Sequence, residues 1–180
     1  TRAGMTMNDI EAVDMDASAI VTAMLSGGVD ACATWSPNSL KILEEGTDVT
    51  LLCDNKTFID TTVSLASWIV TPSYADENAE TILKFTKALY KAMDYAADAN
   101  YDEVAGFVAD VTKTDYDSVY AQRGDADWLT GAEVAAGVED GTIAAYYQLQ
   151  QDNFIAAGAV KEAVALEDYI MFDNMTNAVK

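Results

Sequence analysis

Asp16, Ala17 and Ser18 stand at the head of a run, Asp-Ala-Ser-Ala-Ile-Val-Thr-Ala-Met-Leu, whose apolar residues Ile20, Val21, Met24 and Leu25 recur at helical spacing. A helix that begins there carries free backbone N–H groups in its first turn, and these can hold an anion. Asp16 and Ser18 can serve such a site or simply cap the helix. Further along, Trp35-Ser36-Pro37-Asn38-Ser39 brings an indole, which offers a ligand a flat apolar wall, together with neutral hydrogen-bonding groups on Ser36, Asn38 and Ser39. The same Trp35 would also suit a core, as would Trp68 in the apolar run 63–70. The chemistry these residues offer is the holding of a small ligand, with no bond broken. Arg2 and Arg123 are the only guanidinium groups, and neither lies near the run. A bound anion would therefore depend on helix N-termini and neutral donors, or on groups outside these 180 residues.

Other chemistries are excluded by what the chain lacks. It has no histidine, which removes Ser-His-Asp and Cys-His catalysis, His-ligated zinc and His-based pH switching. Cys32 and Cys53 each sit in an apolar, strand-like run, and we expect two buried thiols, although neighbouring strands would also permit a disulfide. The carboxylate pairs Asp14/Asp16 and Asp125/Asp127 lack the spacing of a calcium loop and read as solvated surface. Gly27-Gly28 ends a helix instead of opening one, so there is no phosphate-cradling loop. No metal and no cofactor is expected. Ten Lys and Arg against thirty Asp and Glu leave a net charge of −20, which repels nucleic-acid backbones and anionic lipid surfaces alike. Lys84, Lys87 and Lys91 read as the solvated face of one helix.

The elements that would position these groups alternate strand and helix up to about residue 70. Strands are expected at 10–13, 29–34, 49–53 and 63–70. A helix should follow Asp14 or Asp16 and stop at Gly27-Gly28. Another should start after Pro37, bury Leu40, Ile42 and Leu43, and end at Gly46. Beyond Pro72 the pattern is helical. Asp76 or Asn78 caps a long amphipathic segment carrying Ile82, Phe85, Leu89, Met93 and Ala96, with Glu80 and Lys84 paired on its other face. Further helices are expected at 101–111, 115–120, 130–137, 143–157 and 160–165, and packed extended chain at 169–172. The fold class is thus α/β with a helix-rich C-terminal half. Residues 1–64 would form an α/β part and 65–180 a strand followed by helices. With 180 residues the chain is long enough for a sizeable core, and no apolar run is long enough to span a bilayer.

Three stretches in order carry a resemblance. Residues 13–37 contain an Asp-bearing strand end, a helix, Gly28-Val29-Asp30-Ala31 and a Trp close to a Pro. Residues 65–78 read Leu-Ala-Ser-Trp-Ile-Val-Thr-Pro-Ser-Tyr-Ala-Asp-Glu-Asn, and a long helix follows over 79–99. Together they resemble the C-terminal portion of ABC-transporter solute-binding proteins of the nitrate/sulfonate/taurine (NMT1/SsuA-like) family. The resemblance implies a periplasmic-binding-protein type II fold, two α/β lobes that close on ligand by a hinge. It also implies a chain that enters part-way through the second lobe and returns to the first through 63–70. Asp16, Ser18, Trp35, Ser36, Asn38 and Trp68 would then be its ligand contacts, and this portion alone would bind weakly or not at all. Family members commonly carry an acidic residue where Ser36 stands.

The implied function is that of an extracytoplasmic, non-enzymatic component of an ABC importer, a monomer in the periplasm or lipid-anchored outside the membrane. It would pass a small anion such as a sulfonate or nitrate to the permease's transmembrane subunits. The alternative on the same fold is a pyrimidine-precursor binding protein or synthase of the thiamine-biosynthesis type, whose histidine and cysteine cluster this chain lacks. An effector-sensing domain of a transcription regulator shares the architecture, but no basic DNA-binding segment is present.

Overall fold

The structure, a computed structural model, describes residues 4–97 and 100–180. The chain forms two compact units, Thr1–Leu51 and Leu52–Lys180.

In the first unit, α1 (Ala17–Leu25) and α2 (Asn38–Glu45) pack on each other and bury Val21 and Ile42. The α1 stop is the one its glycines foretell. Gly27 adopts φ +72°, its N–H donates to the Met24 carbonyl at 3.2 Å, and the Gly28 N–H reaches back to the Ala23 carbonyl at 2.8 Å, a Schellman closure. Gly46 closes α2 by donating to the Ile42 carbonyl at 2.9 Å. Of the three apolar residues expected inside, Ile42 is buried, Leu40 is half-buried and Leu43 is exposed.

The second unit is helical. Pro72 opens α3 (Pro72–Glu77), and Asn78 closes it at the start of the long α4 (Ala79–Ala97). Ile82, Leu89, Met93 and Ala96 are half-buried along α4 and Tyr90 is fully buried, whereas Phe85 is exposed. The Glu80 and Lys84 side chains pair at 2.6 Å. Then come α5 (Tyr101–Thr112), α6 (Tyr116–Ala121), α7 (Gly131–Glu139), α8 (Thr142–Ala156) and α9 (Phe172–Asn177). Helices α7 and α9 lie against α4, and α8 folds back on α7. The seams are close. The Gly131 N–H donates to Asp94 Oδ1 at 2.8 Å, Thr86 Oγ1 donates to Asn174 Oδ1 at 2.6 Å, and the buried Ile143 of α8 lies against Gly137 of α7. Helices α5 and α6 bury Ala105 and Val119 and bring Tyr101 edge-on to Tyr120.

Four expectations are corrected. Among the described residues no strand forms at 10–13, 29–34, 49–53 or 63–70. These runs have strand composition, but a strand needs a second extended chain to take its N–H and C=O groups, and none of the four finds one. Residues 160–165 form no helix. Gly158, at φ +74°, ends α8, and the buried Gln151 amide holds Val164 instead, accepting from its N–H at 2.7 Å and donating to its carbonyl at 3.1 Å. Cys32 and Cys53 are free and exposed, not buried, because the runs that carry them lack the covering layers expected of sheet interior. At 169–172 only Ile170 is buried, and α9 begins at Phe172.

Candidate functional site

The starts of α1 and α2 meet. Asn38 Nδ2 donates to the Ala17 carbonyl at 3.3 Å, and the two C-terminal ends share a depression on the other side of the unit, so the helices run side by side in one direction. Neither start is capped by a side chain. Asp16 leads into α1 in extended geometry, and its carbonyl accepts from the N–H groups of Ala19 at 2.8 Å and Ile20 at 3.3 Å, but its carboxylate makes no capping hydrogen bond. Pro37 precedes α2 and has no group to cap with. Two uncapped helix starts side by side concentrate N–H donors and the positive ends of two helix dipoles.

Around them stand the polar groups of the 34–39 loop. The Ser36 and Ser39 hydroxyls share a hydrogen bond of 3.2 Å, and the Ser39 N–H donates to the Trp35 carbonyl at 3.2 Å. Thr34 Oγ1 is the one buried side-chain oxygen without a hydrogen-bond partner among the described residues. Trp35 is 66 % exposed, so its indole is an available wall and not core. The fold thus places Asp16, Ser18, Trp35, Ser36 and Asn38 at one end of one helix pair. It places Trp68 in the other unit, 75 % exposed and edge-on to Phe85 at 5.6 Å.

The depression at the opposite end, about 350 Å³, was not foreseen. It is lined by Met24, Leu25, Glu45, Asp48 and Val49 among others. Two helix C-termini and two carboxylates make it unfavourable for an anion. Spacing could have revealed it, since Gly27 and Gly46 mark both helix ends, but nothing local says that those ends meet. Sequence reading also passed over an aromatic stack at i, i+4 and i+7 on α6 and the turn after it. Tyr116 stacks on Tyr120, and the Arg123 guanidinium lies 4.2 Å from the Tyr120 ring centroid. No group of three or more acidic or thiol side chains is placed to hold a metal among the described residues. Asp127 instead pairs with Lys56 at 2.5 Å.

Residues 1–101 match the family model described as NMT1/THI5 like. The chain is similar to proteins of Brucella abortus (strain 2308), Brucella suis biovar 1 (strain 1330) and Brucella melitensis biotype 1 (strain 16M), whose names describe them as candidate binding proteins. Each is 25% identical over 175 residues, which is 97% of this chain and 54% of the relative. The chain therefore spans about half the length of the curated relatives it matches. No solved structure matches it. The matched residues contain both helix starts, the 34–39 loop and Trp68, and the chain belongs to the NMT1/THI5-like family, which implies the periplasmic-binding-protein type II fold.

Proposed function

We propose that this chain is part of an extracytoplasmic solute-binding protein of an ABC importer, without catalytic activity. In this reading it helps to hold a small anion of the sulfonate or nitrate type and to deliver it to the permease. One observation carries the reading: two adjacent helix starts, neither capped by a side chain, lie beside the neutral donors of Ser36, Asn38 and Ser39. Such a place attracts negative charge without a guanidinium. The Asp16 carboxylate at the α1 start opposes an anion, and Ser36 contributes by being neutral, since a second carboxylate there would oppose it further.

The test is amide NMR of the ¹⁵N-labelled protein titrated with taurine and with nitrate. This readout detects millimolar binding, as suits a chain that spans half of its relatives. Shifts should concentrate at residues 17–18 and 36–39, and Ser36→Asp should weaken them about tenfold, the scale of one close charge in partly exposed surroundings. Saturating titrations that move no amide in these segments, or that move only the depression at Glu45 and Asp48, would sink the reading. A second reading, a pyrimidine-precursor binder or synthase, is favoured by the exposed Trp35 face, on which a ring could stack. A pyrimidine that shifts the Trp35 indole when sulfonates do not would favour it.

A further inference from the structure

Residues 63–70 keep strand composition without a strand's partner. Val63, Ile69 and Val70 are β-branched, Trp68 is aromatic, and Thr61, Thr62 and Thr71 flank them. Val63 and Leu65 are half-buried while Ser64 and Ala66 are exposed, the period-two alternation of extended chain. Side chains seat the run on its unit. The Ser67 and Tyr147 hydroxyls share a hydrogen bond of 2.8 Å, and Trp68 stands edge-on to Phe85 of α4. The backbone of the run is unpaired: among the described residues, no N–H or carbonyl of 63–70 takes part in a hydrogen bond. Its outer side is apolar, with Ile69 94 % exposed beside exposed Trp68 and Val70. A run held in place by its side chains, with its backbone groups unused, is a template for a second strand.

Charge decides which strand fits. The chain carries a net charge of −20, so two copies repel one another over most of their surface. Residues 61–75 hold no charged side chain, the longest such stretch in the sequence. Two copies that meet there set no carboxylate directly against another. A two-fold axis brings the same patch of both copies together, so that patch must be complementary to itself. An uncharged run of β-branched residues meets the condition, because each backbone donor finds an acceptor on an identical run. Pro72 has no N–H and ends the pairing. A third copy would add a further charge of −20, which favours closure at two.

We propose that this chain forms a two-fold dimer in which residues 63–70 of the two copies pair as antiparallel strands, with Ile69 at the joint. The inference rests on these residues and not on the ligand reading above.

The experiment is sedimentation equilibrium of the full chain from micromolar to submillimolar concentration, with amide hydrogen exchange at both ends of that range. A reductant is present because Cys32 and Cys53 are exposed. The mass should rise to that of two chains, and amides 63–70 should gain protection in step with it. Moderate salt should strengthen the association by screening like charge. Ile69→Asp should weaken it about tenfold or more, the scale of close like charges in partly exposed surroundings. Its circular dichroism should match the parent's, since Ile69 packs against almost nothing in one copy, and Ile69→Val should keep the dimer. A chain that stays monomeric throughout the range in moderate salt would overturn the proposal. So would a dimer that leaves 63–70 unprotected or that Ile69→Asp does not weaken, and so would a mass that climbs past two copies.

Discussion

At the residue scale, the closest fit is Gly131 against Tyr90. A Cβ built on Gly131 would stand 2.5 Å from Tyr90 Cβ and 2.6 Å from its Cγ, and the Gly131 N–H is meanwhile tied to Asp94. The first turn of α7 cannot back away without breaking that hydrogen bond. Gly131→Ala should therefore destabilise the second unit by about 1–3 kcal/mol, the usual range for overpacking, read as a lower urea midpoint with unchanged slope. Glu133, two residues on, accepts from both the backbone N–H and the hydroxyl of Thr130, which hold its carboxyl below the ordinary value of 4.5. A carboxyl depressed in the folded state adds stability that is present above its unfolded value and lost as pH falls through the folded one. Acid titration by circular dichroism should thus show α7 weakening below about pH 4.5, and Glu133→Gln should flatten that limb. An unaltered limb in the variant would show that the cap is idle.

At the element scale, α8 carries a side chain that does backbone work. Gln151, buried and polar, satisfies both the N–H and the carbonyl of Val164. Gln151→Ala should strand those two groups and cost about 1–3 kcal/mol, while Gln151→Glu should keep only the acceptor half of the pairing. Chemical denaturation of both variants checks this, and an Ala variant as stable as the parent would contradict it. This contact also explains why residues 160–165 are not helical, although their composition suggests it: the partner is 13 residues away in sequence and invisible to a local pattern. The helices, by contrast, were legible because their signals are local. Gly27, Gly46, Pro72, Asp115 and Thr130 all stand where their caps and stops require. The runs at 10–13, 29–34, 49–53 and 63–70 were misread for the opposite reason, since strand composition describes only half of a pair.

At the scale of the molecule, the two units are unequal. Among the described residues, Val21 and Ile42 are the buried apolar residues of Thr1–Leu51, whereas Tyr90, Ala105, Val119, Ala135, Ile143, Ile170 and Ala178 belong to Leu52–Lys180. A unit of this size with so small a core is marginal by itself. Amide hydrogen exchange should therefore release α1 and α2 at lower denaturant than α4, α7 and α8, and a single coincident release would contradict the division. The candidate site inherits this weakness, because five of its six expected residues lie in the smaller unit. Asp16 and Ser18 were legible because they flank a helix start, a local feature, whereas Trp35, Ser36 and Asn38 were singled out as following a strand at 29–34 that does not form. Trp68 was singled out by its residue type within the returning run 63–70, and the structure seats it against Phe85 in the other unit.

The chain's residues alone determined its acidity, the absence of histidine chemistry, the helices after Pro72 and the stops of α1 and α2. Each of these depends on composition or on groups within about four residues of one another. Only the tertiary structure decided that the α1 and α2 starts meet through Asn38 and Ala17, and that Trp35, Cys32 and Cys53 face solvent. It also decided that residues 52–71 rest on the helices through Lys56, Thr61 and Ser67. Those outcomes are set by partners 21 to 92 positions away or by the lack of one, and distance along the chain hides both.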